Sequence, residues 1–195
     1  FDFVETQEAV FNALKDENVN VAITAASVLF NKANSAISNR IVGIADSVNW
    51  RVGAQLLGTA LKMNAQDPVL LEKIKTKFLN SVNNYEKAEL LTSLGNSFSA
   101  YDFIVTQTFS TDSKAIGTAG LGALSNLRES QDFPEELDAP LADVLKQAIL
   151  TGDLAMIGIA TSIISTPEYE YKNLYDTIDF LYQAKGRLSL PKDNE

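Results

Sequence analysis

Four acids, Asp132, Glu135, Glu136 and Asp138, crowd the stretch DFPEELDAP and could move a proton or hold a cation. Paired carboxylates can divide into acid and base, or share a divalent ion through oxygen ligands. An all-helical carboxylate-dependent glycosidase is therefore one reading of the segment. The plainer reading is a helix start, with Pro134 in a first turn and acids facing the positive end of the helix dipole. The glycines of GTAGLG, Gly117 to Gly122, are spaced like a phosphate-binding loop. No strand signal precedes them, however, and they fall inside a helical pattern, which argues against dinucleotide binding. There is no cysteine and no histidine. That removes Cys/His zinc sites, Ser-His-Asp and Cys-His catalysis and thiol redox chemistry. No catalytic residue, cofactor site or metal site is expected within these residues.

Recognition by contact has better candidates. Tyr169, Tyr171, Tyr175 and Tyr182 account for four of the six tyrosines and fall in one segment, PEYEYKNLYDTIDFLYQAKGRL. Tyrosine suits half-buried and interfacial positions, because the ring is apolar while the hydroxyl stays wet. Two readings are open: a docking face for another domain, or a helix that caps the end of the fold. Trp50, the single tryptophan, stands beside Arg51. Both types anchor interfaces, although a lone Trp at a helix start also serves as packing. These six residues are the candidate interface.

Charge narrows the class of partner. The net charge is −9, and the four arginines (Arg40, Arg51, Arg128, Arg187) are scattered along the chain. Neither nucleic acid nor an anionic membrane surface is expected, since both need clustered basic residues. No apolar run reaches the roughly 20 residues that span a bilayer. The expected partner is a protein, a peptide or an adjacent domain of the same chain. The lack of cysteine is compatible with either cytoplasm or periplasm. The start at Phe1 and the polar end PKDNE read as a piece of a longer protein.

The elements that must carry these residues are helices. Val4, Ala9, Val10, Ala13 and Leu14 form one apolar stripe, and Leu70, Leu71, Ile74, Phe78 and Leu79 another. Polar breaks predict eleven helices, over 4–15, 18–33, 36–47, 49–63, 68–82, 84–97, 100–110, 112–129, 134–150, 152–165 and 168–185. Short connections make neighbours antiparallel, so residues 1–195 read as a single helical domain. Alternate helices are alike. WRVGAQLLG, Trp50 to Gly58, aligns with KAELLTSLG from Lys87 and KAIGTAGLG from Lys114, and more loosely with VAITAASVL from Val21 and MIGIATSII from Met156. Asn18, Asn49, Asn84, Asp112 and Asp153 precede these copies as expected helix caps. An irregular period near 34 residues is the signature of a repeat array.

The pattern N-W-R-V-G-A-Q-L-L-G resembles the second helix of HEAT repeats at Arg51, the small pair Gly53 and Ala54, Leu57 and Gly58. The other copies depart from it, with Ala22, Ala88, Ala115 and Ile157 at the arginine position. The resemblance implies an all-α, right-handed superhelix of stacked pairs that serves as a non-catalytic scaffold for protein or interdomain interaction. The second half also resembles HEAT-type regions that adjoin cyclophilin-type peptidyl-prolyl isomerase domains in bacterial proteins. That implies an alternative, an accessory role beside a catalytic domain outside these residues. Glycine inside a helix costs on the order of 1 kcal/mol relative to alanine. Close packing between stacked helices is expected to offset that cost at Gly53, Gly58, Gly95, Gly117 and Gly122.

Overall fold

Short polar side chains set where the helices begin. In the computed structural model, which describes residues 3–32, 34–110, 113–130, 132–165 and 179–180, Asn49 accepts a hydrogen bond from the Arg51 N–H, and Asp67 accepts from Val69 and Leu70 with Pro68 next in line. Asp153 accepts from the N–H groups of Ala155 and Met156. Asn18 accepts from Asn20 at 3.0 Å. Each side chain satisfies N–H groups that the first helical turn leaves without a partner. Asn83, rather than Asn84, caps its helix: Asn83 is extended and accepts from Tyr85 and Glu86, while Asn84 is already helical. The expected cap Asp112 lies outside the described residues.

The described residues are all-helical, with ten α-helices and no strand. They are α1 (Phe3–Ala13), α2 (Val19–Lys32), α3 (Ser38–Ile44), α4 (Trp50–Met63), α5 (Pro68–Asn80), α6 (Asn84–Leu94), α7 (Tyr101–Phe109), α8 (Lys114–Arg128), α9 (Asp138–Leu150) and α10 (Leu154–Ile164). Helices α3, α7 and α9 are each entered through a 3-10 turn, at Ser35–Ile37, Phe98–Ala100 and Glu135–Leu137. These turns shorten the predicted helices 36–47, 100–110 and 134–150. The predicted helix 168–185 lies outside the described residues except at 179–180, which are helical, with Phe180 half-buried against the core. No described helix is long and apolar enough to cross a membrane.

The even-numbered helices form one stack, α2 on α4, α4 on α6, α6 on α8 and α8 on α10. Each odd-numbered helix packs on the even helix that follows it. Every copy recognised in the sequence thus lies on a stacking helix. Helix α4 is buried nearly all round: Val52, Gly53 and Ala54, then Leu56 through Leu61, are inaccessible. Burial of this extent places α4 between other elements, with Arg51 left exposed, and each fully buried leucine contributes about 1.5–3 kcal/mol.

Close approach explains most of the glycines. A Cβ on Gly53 would run into the Ala45 carbonyl oxygen, at the end of α3. One on Gly58 would lie 2.8 Å from Ser93 Oγ of α6, a hydroxyl within hydrogen-bond distance of the carbonyl oxygens of both Ala54 and Glu89. One on Gly95 would lie 2.7 Å from the Ala123 carbonyl oxygen of α8, and one on Gly117 would lie 3.1 Å from Met156 Sδ of α10. Gly122 is a correction, because nothing stands within 4 Å of its Cβ position. Its neighbour Gly120 takes that role instead, against Thr108 Oγ1 of α7.

Ion pairs fasten alternate helices from outside. The Asp46 carboxylate, after α3, accepts from Lys73 Nζ at 2.7 Å and Lys77 Nζ at 3.1 Å, both on α5. The Lys73 hydrogen bond outweighs partial burial and holds the carboxyl below the usual aspartate range. Asp153 joins α10 to α8 through Lys114 Nζ at 2.9 Å. Its carboxyl is lowered first by Lys114 and then by the Met156 N–H. Such groups contribute stability above the unfolded carboxylate pKa, near 4, and lose it as pH falls through the lower folded value.

Two sets of variants check this account. Gly53→Leu or Gly58→Leu should lower the unfolding free energy by about 1–3 kcal/mol or more in urea titrations. Gly122→Ala should raise it by about 0.5–1 kcal/mol; an equal loss at Gly122 and Gly53 would refute close approach as the cause. Asp153→Asn keeps the capping oxygen but removes the charge. Its stability should fall less steeply than the parent's between about pH 4 and pH 2, and matching slopes would show that the Lys114 pair contributes nothing.

Candidate binding groove

The even helices also carry a polar stripe. Arg51 and Gln55 lie one turn apart on α4, and Glu89, Thr92 and Asn96 follow the same rule on α6 and its end. Stacking brings these stripes together into a groove of about 520 Å³. Ile23 and Phe30 of α2 form its apolar end, Gly58 and Ser93 its floor, and Asn126 of α8 its far rim. Gly58 has no side chain to fill the space above Ser93, so the close approach that stacks α4 on α6 also opens the groove.

The chemistry of the lining is amide-rich and nearly charge-balanced. Arg51 Nε stands 3.7 Å from Glu89 Oε1, an exposed pair spanning α4 and α6. Gln55 Nε2 donates to Ser27 Oγ of α2 at 3.0 Å, and Asn96 Nδ2 donates to the Ser93 carbonyl at 2.9 Å. Each amide thereby has a fixed orientation and still carries a carbonyl oxygen and a second N–H for a ligand. Lys62 Nζ lies 4.0 Å from the centroid of the half-exposed Phe30 ring.

Of the expected interface residues, only Arg51 lines this groove. Trp50 begins α4 beside it and is half-buried. Tyr169, Tyr171, Tyr175 and Tyr182 lie outside the described residues. Gln55, Glu89, Asn96 and Asn126 were not singled out from the sequence. Their signal is a run of polar residues at helical spacing on the helices that otherwise carry the smallest and most apolar side chains.

In the acidic segment, Pro134 precedes the 3-10 turn that leads into α9, instead of standing in the first turn of that helix. Asp138 is the first residue of α9 and is buried, with Oδ1 3.5 Å from Arg128 Nε at the end of α8. Glu135 and Glu136 stand exposed on the preceding 3-10 turn. No group of three or more acidic side chains among the described residues is placed to hold a metal. GTAGLG lies wholly inside α8. No protein-family model, curated protein or solved structure shows a significant match to the chain.

The buried pair should matter to stability rather than to activity. Arg128→Met leaves the Asp138 carboxylate buried and should cost about 3–5 kcal/mol. The double variant Arg128→Met/Asp138→Leu should recover most of that loss in a double-mutant cycle. Additive losses would show that the two groups do not act as a pair.

Proposed function

We propose that this chain is a HEAT-like helical-repeat scaffold that holds an extended segment of another protein in the groove across α2, α4, α6 and α8. One observation carries the reading: four successive stacking helices contribute side chains to a single continuous groove. A solenoid's extended face recognises linear ligands in this way, one helix pair after another. The oriented amides of Gln55 and Asn96 match the alternating N–H and C=O groups of an extended backbone. Phe30 and Ile23 suit an apolar side chain, and the Arg51–Glu89 pair fixes register for a charged one. Chemistry plays no part in this role; the groove binds and positions. The HEAT-like reading also implies a right-handed superhelix.

Selection from a displayed library of unstructured peptides tests it. Selected peptides should lose at least about tenfold in affinity, roughly 1.4 kcal/mol, on Gln55→Ala/Asn96→Ala. They should be indifferent to Leu79→Ala on the exposed side of α5. A failure to select any peptide, or binding insensitive to the groove variant, would overturn the proposal.

A further inference from the structure

A hydroxyl has one proton to give. Ser27 of α2 gives its proton to the Ile23 carbonyl oxygen one turn earlier, at 3.0 Å, as serines inside helices commonly do. Toward α4 it then presents lone pairs alone. Gln55 meets them with its amide nitrogen, Nε2 donating to Ser27 Oγ at 3.0 Å. The Gln55 carbonyl oxygen in that place would set acceptor against acceptor. Ile23, Ser27 and Phe30 follow the i, i+4, i+7 spacing of one stripe on α2, and Ile23, Phe30 and Gln55 line the groove. Other polar groups of the lining are turned in the same sense. Thr92 gives its proton to the Ala88 carbonyl oxygen at 3.0 Å, and Asn96 Nδ2 donates to the Ser93 carbonyl oxygen at 2.9 Å. At each of these side chains a protein carbonyl or hydroxyl takes up a donor, and a side-chain oxygen is left over as an acceptor.

We infer, resting on the groove proposed above, that Ser27 is its positioning residue. It holds the Gln55 carboxamide with Oε1 turned away from α2, so that this point of the groove accepts a hydrogen bond from an N–H of the bound segment. Without Ser27 the carboxamide turns freely and offers either end to a ligand. With it, the cost of ordering that side chain is met before binding. Ser27 therefore acts through Gln55 and touches no ligand itself.

Amide proton exchange, followed by NMR on the full chain, tests the first step with no ligand present. The Gln55 side-chain NH₂ signals are identified by their loss in Gln55→Ala. The donated proton should exchange about fivefold more slowly than those of the exposed Gln66, the difference that one net hydrogen bond makes. Ser27→Ala should abolish that difference. Ser27→Thr should restore it, because a helical threonine bonds the same carbonyl one turn back. Affinity for a peptide selected on the parent chain tests the second step. Ser27→Ala should weaken binding about fivefold, and Ser27→Thr should leave it unchanged. In a Gln55→Ala background Ser27→Ala should have no effect, whereas a serine that merely props α2 against α4 would weaken binding in both backgrounds. Gln55 exchange unaltered by Ser27→Ala would overturn the inference. So would a loss of affinity on Ser27→Ala that persists without Gln55. A protected Gln55 proton in a chain that selects no peptide would overturn the groove reading itself, and the positioning role with it.

Discussion

A helix that serves as a wall between two others must be slim on both sides. That constraint shapes α4, α6 and α8. Helices α6 and α8 make close contacts with the stacking helices on both sides and α4 with the one after it, and the contacts fall on Gly58, Ser93, Gly95, Ala123 and Gly117. Any larger side chain there would push two backbones apart, and the displacement would carry to the odd helix seated on the pair. The apolar leucines then fill the flanks, where α4 buries Leu56, Leu57 and Leu61 completely. Small residues fix the spacing and large ones supply the burial, so neither set substitutes for the other.

The starts of several helices were legible because their punctuation is local. A cap side chain acts on N–H groups two and three residues away, so Asn49, Asp67 and Asp153 mark helix starts without tertiary help. The register of the copies was less legible. Helix α2 opens at Val19, α6 at Asn84 and α10 at Leu154. The copies read from Val21, Lys87 and Met156 therefore begin two or three residues inside their helices. Apolar and small residues recur so densely on these helices that several alignments look alike; only the caps count turns correctly. Gly122 shows the same limit. Its position in the pattern matches Gly58 and Gly95, yet whether a neighbour stands opposite depends on how α8 is rotated against its partners.

The groove was harder still to foresee, because it is assembled from residues far apart in the chain. Ile23, Arg51, Glu89 and Asn126 share no local pattern, and each alone resembles an ordinary solvated position. Arg51 stood out through its neighbour Trp50 and its place in the helix pattern, neither of which points to Glu89. The acidic run had the opposite character, conspicuous in sequence although only Asp138 of its four acids is buried. Asp138 sits at the positive end of α9 against Arg128, where a carboxylate serves helix and pair together.

The packing of α4 against four other helices has a consequence for how the molecule breathes. Releasing a helix pair at one end of a stack severs a single interface, whereas releasing α4 severs its contacts with both α2 and α6 as well as with α3 and α5. Among the described helices, those with more neighbours need more contacts broken before they open. The groove residues carried by α4 and α6 therefore rest on the part of the described structure that opens last. The side chains of that groove are thus held in place before anything meets them, and its outer edges give way first.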